Sequence, residues 1–182
     1  MRVLLLIPLM LGFVPALSAT VLIPAEFREI VSGSQIIVHG RVSEVRAEWL
    51  DGRRRIESVI TLDASSFYRG TAASRVTFRV PGGQIGRYKS VTVGAPEFKA
   101  GDEVVLFLKA QGPSVPQVFG LNQGVFRVAV DQRTGRRTVM QPTVMARGTA
   151  PQRVVRGTRE RQPLPLEQFA AQVRTVLQGG NR

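Results

Sequence analysis

The chain has 182 residues, 43% of them hydrophobic, with 25 Lys/Arg against 13 Asp/Glu, one His and no Cys. The missing Cys excludes disulfides, thiolate metal sites, Cys nucleophiles and a lipid-anchored amino-terminal Cys. A net charge of +12 points toward anionic partners, but only once its distribution along the chain is known.

The chain opens MRVLLLIPLMLGFVPALSAT: one Arg, an unbroken apolar run from Val3 to Val14, then Pro15 and small residues. Residues 1–19 are therefore predicted to be a signal peptide, with cleavage after Ser18 or Ala19. The run is too short for the ~20 apolar residues of a membrane span. Export to the periplasm or beyond, as a soluble protein, is the expected localisation. About 163 residues then remain, enough for one domain that buries about 70% of its unfolded surface.

Residues 20–140 are predicted to form a β-barrel domain. IPAEFREIVSGS begins it as a short helix, with Pro24 in the first turn, Phe27, Ile30 and Val31 on one face, and Gly33 at the end. From Gln35 the period changes to two. Ile36, Val38, Gly40 and Val42 form one face; the phase then slips near Ser43 and Glu44, after which Val45, Ala47 and Trp49 form the apolar set, so a bulge is expected. Asp51 and Gly52 turn a hairpin whose return strand places Ile56, Ser58, Ile60, Leu62 and Ala64 on one side. Arg69 and Gly70 lead into RVTFRV, where Val76, Phe78 and Val80 face a core and Arg75, Thr77 and Arg79 face water.

Next comes PGGQIGRYKS, whose glycines, lysine and serine suggest a phosphate loop. Neither usual spacing is met: Lys89 is not preceded by Gly, and Gly82 and Gly83 are adjacent. SVTVGAPEF, which follows, alternates and breaks at Pro96 where a phosphate-binding helix would have to start. The stretch is read instead as a connection in which Gly82, Gly83 and Gly86 permit the turns and Arg87, Tyr88 and Lys89 form an exposed tip. SVTV is expected to be a short extended piece. GDEVVLFLKA is expected to be a central strand, and VFGLNQGVFRVAV a last strand interrupted near Asn122 to Gly124, leaving through a turn at Thr134 and Gly135.

The positive charge is weighted toward the end of the chain. Residues 20–132 carry 14 Lys/Arg against 11 Asp/Glu, and residues 133–182 carry 10 against 2. Residues 141–162 read as a basic flexible linker and 163–182 as an amphipathic helix, with Leu166, Phe169, Ala170, Val173, Val176 and Leu177 on the face that packs on the barrel. The fold class expected is mainly β: a small five- to six-stranded, OB-like antiparallel barrel with a short amino-terminal helix and a carboxy-terminal amphipathic helix.

Catalytic patterns are few. There is no HExxH and no GxSxG; His39 is expected to be an ordinary strand residue, and Asp102 and Glu103, neighbours at the start of a strand, point to opposite faces and read as a solvated turn. Asp51, Asp63 and Asp131 lie at turns, where Asp bonds the local backbone. The chain is read as non-enzymatic, with no cofactor and no metal. The Arg75–Thr77–Arg79 face has no aromatic residues interleaved, so nucleic acid is not the expected partner.

Several stretches carry a resemblance. Ser34 to Val42, Arg69 with Gly70, and Gly101 to Phe107 resemble the motifs of the oligosaccharide-binding-type barrel in netrin-like and tissue-inhibitor-of-metalloproteinase domains. VPGG followed by GAPEFKAGDEVVLFL also resembles a pattern shared by a group of uncharacterised bacterial secreted proteins. The first resemblance implies a barrel that binds a protein, a secreted protease among the partners. It does not carry over the inhibitory wedge, which depends on an amino-terminal Cys. The binding residues expected are Gly82, Gly83, Gly86, Arg87, Tyr88 and Lys89. The alternative is an envelope-associated module that binds anionic glycan or lipid through Arg147, Arg153, Arg156, Arg159 and Arg161.

Overall fold

The alternating strands expected from Gln35 onward form in this computed structural model, which describes residues 24–110, 112, 114–140, 142 and 163–179. The predicted signal peptide and, apart from Pro142, the basic linker lie outside the described residues. The elements are α1 (Phe27–Ser32), β1 (Ile36–Leu50), β2 (Arg55–Arg69), β3 (Arg75–Pro81), β4 (Gly83–Ile85), β5 (Tyr88–Ser90), β6 (Glu103–Lys109), β7 (Gln117–Val118), β8 (Val125–Val130), β9 (Arg137–Met140), β10 (Leu164–Pro165) and α2 (Leu166–Gly179). Helix α1 starts later than expected: Glu26 is its N-cap and Pro24 precedes it.

Strands β1, β2, β3, β7 and β6 pair in that order, and β6 pairs back to β1, closing a five-stranded barrel. The barrel is not wholly antiparallel, as the sequence suggested. Strand β3 runs parallel to β7 at Arg79–Gln117. Five strands cannot alternate direction all the way around a ring, so one seam must be parallel, and here it falls at the shortest strand.

The predicted slip in β1 is present. Val42 pairs with Leu62 and Glu44 with Thr61, leaving Ser43 unmatched; two further shifts lie at Ile37/Val38 and His39/Gly40. Together they coil the ribbon so that its first half can pair with β6 as well as β2. At Gly40 a Cβ would stand 2.3 Å from the Asp63 carbonyl oxygen. Only glycine allows the two backbones to pass that closely.

Strand β6 is buried on both faces. Val104, Leu106 and Leu108 point into the barrel with Val38, Val42, Ile60, Leu62 and Phe78. Phe98 stoppers this core, its ring 5.3 Å from that of Phe78 and nearly perpendicular to it. Val105 and Phe107 point outward into a second core with Ile37, Phe126, Val128, Val139, Phe169 and Val173. This outer core explains α2: Phe169, Ala170 and Val173, predicted on one helical face, are buried there. Phe27, Phe107, Phe126 and Phe169 meet with ring centroids 5.0 to 6.3 Å apart. Burial of each such ring is worth about 1.5–3 kcal/mol.

Three strand expectations need correction. The last predicted strand is two: β7 pairs with Leu108 and Lys109, β8 with Val104 to Leu106, so they share one edge of β6 in succession. The turn between them is fastened to β6, where Phe119 N–H donates to the Phe107 carbonyl and Phe107 N–H to that of Gly124, both at 2.9 Å. Strand β9, not expected after the Gly135 turn, extends this sheet and pairs with both β8 and β10. SVTV is not a strand beyond Ser90. Instead β4 and β5 form a separate hairpin around Gly86 and Arg87, leaving Val91 and Val93 exposed.

Candidate functional site

Two charged places stand out, and they differ in how their charges are met. The first is centred on Glu103, which the sequence placed in a solvated turn. Glu103 is 8% exposed and His39 is 6% exposed. Glu103 shares a phase with Val105 and Phe107, so it enters the outer face of the sheet at the rim of the second core. There its Oε1 lies 3.0 Å from His39 Nε2 and 3.3 Å from Arg137 Nε, and its Oε2 lies 3.0 Å from Arg41 Nη2. Facing two guanidiniums, the carboxylate is the acceptor and the imidazole the donor. His39 comes from β1, Glu103 from β6 and Arg137 from β9, so this centre ties three strands together.

A shallow cleft of about 280 Å³ opens beside it, lined by Arg41, Asp102, Glu103, Arg127 and Gln132 among others. Its guanidiniums are already engaged. Arg41 Nη1 donates to the Gly101 carbonyl at 3.2 Å; Arg127 donates to Asp102 at 2.9 Å and to the Glu97 carbonyl. Both Glu103 oxygens have partners, so neither is a free base. Among the described residues no group of three or more His, Asp or Glu is placed to hold a metal ion. The centre's chemistry is that of a clamp.

The second place is the β4–β5 hairpin, where all six predicted loop residues come together. The hairpin lies on the inner face of the β1–β2 ribbon, beyond the barrel. Gly83 makes this possible: with φ 150° it sits where a Cβ would stand 2.8 Å from Ser58 Oγ and 3.3 Å from Ala47 Cβ. Gly82, at φ 95°, donates its N–H to the Ile56 carbonyl at 3.1 Å, and its own carbonyl accepts from Ser58 Oγ at 2.9 Å. Two adjacent glycines thus fasten the hairpin's base flat on the ribbon. Its tip is open: Gly86, Arg87, Tyr88 and Lys89 are all exposed, Tyr88 by 51%.

The Tyr88 ring meets Trp49 edge-on, with centroids 5.5 Å apart. Arg87 donates from Nη2 to Tyr88 Oη at 3.1 Å, and its guanidinium carbon lies 5.2 Å from the ring centroid. Trp49 was read in the sequence as one of the apolar set of its strand, with Val45 and Ala47. Its partnership with Tyr88 joins residues far apart in the chain and has no local sequence signal.

No protein-family model, curated protein or solved structure matches this chain. The site therefore has to be read from its own chemistry. Arg147, Arg153, Arg156, Arg159 and Arg161, the alternative anion-binding set, lie outside the described residues. The wet face of β3 is built as expected, but its arginines are paired. Arg75 meets Asp63 at 3.0 Å, and Arg79 meets Glu48 at 2.7 Å and Glu57 at 4.0 Å. Glu48 and Glu57 lie directly across from each other in the β1–β2 ladder. Arg79, reaching over from β3, offsets their repulsion.

Proposed function

We propose that the chain is an exported, non-enzymatic binding module that engages a protein partner through the tip of the β4–β5 hairpin. One observation carries this reading: an exposed Arg87–Tyr88 pair, braced by Trp49, stands on a base fixed to the barrel ribbon. Tyr, Trp and Arg are the residue types that dominate interface energies, and a pre-positioned aromatic loses little entropy on binding. Loops held on a rigid scaffold are where binding concentrates. A secreted protease, the partner class that the barrel resemblance implies, is the first to try.

The test is a photo-crosslinking residue at Lys89 in the exporting host, compared with the same residue at Arg133 in the β8–β9 turn. A discrete protein adduct from position 89 and none from position 133 is the expected result. Equal adducts at both positions, or none at 89, would remove the reading.

A further inference from the structure

We infer that the hairpin tip docks an acidic, extended segment of its protein partner, an inference that rests on the binding reading above and adds the partner's chemistry. The tip does not stand alone. Moving along the hairpin from Gly83 to Tyr88 follows β1 from Ala47 to Trp49, toward the β1–β2 turn at residues 51–54. That turn carries Arg53 and Arg54, and the hairpin carries Arg87 and Lys89, so the two turns bring four cations to the same end of the β1–β2 ribbon as the Trp49–Tyr88 pair.

None of these four cations has an ion-pair partner among the described residues. The neighbouring carboxylates are already committed: Glu48 to Arg46 and Arg79, Asp51 to Arg55, Glu57 to Arg55 and Arg79. Arg53 also holds a left-handed backbone, φ 67°, which a side chain rarely adopts and which costs about 1 kcal/mol. Glycine or asparagine would meet that turn more easily, yet the sequence has arginine.

The backbone beside the cations is open as well. Strand β5 pairs only with β4, and the hairpin closes at Ile85–Tyr88. Lys89 therefore points its N–H and C=O to the unpaired side. An extended peptide can add to that edge with main-chain hydrogen bonds while its acidic side chains meet the four cations. A lipid surface or a nucleic acid offers the charge but no matching strand. The chain's own segment 143–162 holds Arg147, Arg153, Arg156, Arg159 and Arg161 against Glu160, and a second copy carries the same net charge of +12. Both repel the patch, so the occupant is a different, acidic chain.

The test titrates a fluorescein-labelled peptide of alternating Glu and Val into the full exported chain by anisotropy, with a Ser/Val peptide as control. Binding of the acidic peptide alone is expected, weakening about tenfold in R53E/R87E and falling steeply with added salt. The double variant R133E/R136E, which changes charge equally at another exposed turn, should bind as the parent does. Equal loss in both doubles, or no loss in R53E/R87E, overturns the inference, as does R53E/R87E-sensitive binding of phosphatidylglycerol vesicles or oligothymidine without binding of the peptide. The position-89 crosslink separates the two levels. If the adduct persists undiminished in R53E/R87E, the acidic segment is wrong and the hairpin reading stands; if it never forms, the hairpin reading itself fails.

Discussion

The Glu103 centre and the hairpin tip contain the same kinds of side chain in opposite states. At Glu103, one buried carboxylate is shared by His39, Arg41 and Arg137, drawn from strands that meet only in the folded barrel. At the tip, Arg53, Arg54, Arg87 and Lys89 face solvent near two aromatic rings and have no carboxylate partner among the described residues. Burial explains the difference. A charge that leaves water must be met inside the protein, whereas an exposed one can be left for a partner. The first cluster therefore belongs to the account of stability, and the second is the one we propose for binding.

The sharpest way to test the division is to damage each place and measure both properties. Glu103→Ala should cost about 3 kcal/mol in urea unfolding, the low end for removing one member of a buried pair, because Arg41 and Arg137 keep over half their side-chain exposure. Acidic-peptide binding by the folded fraction should be unchanged; a loss there would join the two places into one site. Gly83→Ala should cost about 2 kcal/mol, from a strained backbone together with the collision at Ser58 Oγ. It should also loosen the hairpin, so that binding falls with stability.

Arg79→Ala leaves Glu48 facing Glu57 and should cost about 1 kcal/mol, discounted because its partners are partly solvated. Tyr88→Ala reverses the pattern: stability should stay within about 0.5 kcal/mol of the parent, while the position-89 crosslink is largely lost. A destabilised Tyr88→Ala with intact crosslinking would break the comparison.

The smallest effect concerns Asp131. Its carboxyl is held below the ordinary value of 3.8 by the N–H groups of Thr134 and Arg133, which it accepts at 3.0 and 2.8 Å. A lowered value means that the turn's support is present above the unfolded aspartate value and is lost as pH falls through the folded one. Acidification should therefore lower the exchange protection of the Arg133 and Thr134 amides, measured against the intrinsic rate at each pH, before it alters the hairpin tip.

Much of the barrel was legible because its signals are local. The two-residue period, the slip at Ser43, the Asp51–Gly52 turn and the helical face of Phe169, Ala170 and Val173 are all written within a few neighbouring residues. The parallel β3–β7 seam, the split between β7 and β8, and β9 were not, because each is defined by a partner strand distant in the chain. Glu103 was misplaced for the same reason: alternation put it in phase with Val105 and Phe107, but only the approach of His39 and Arg137 makes its burial tolerable. The turn built by Gly82 to Lys89 was legible because adjacent glycines announce a tight backbone. Trp49 and the Arg53–Arg54 turn were missed as its companions because nothing in the sequence says which two hairpins end side by side.

Strand β6 serves as the common wall of two cores, and this sets an order on how the protein opens. Its amides from Val104 to Leu108 are covered on both faces, and their ladder partners come from β1, β7 and β8. Neither the hairpin nor α2 has to stay in place for that ladder to persist. In native-state hydrogen exchange, α2 and the β4–β5 hairpin should exchange through partial openings. The β6 amides should exchange only when the whole barrel comes apart, so their exchange rates report the global unfolding free energy.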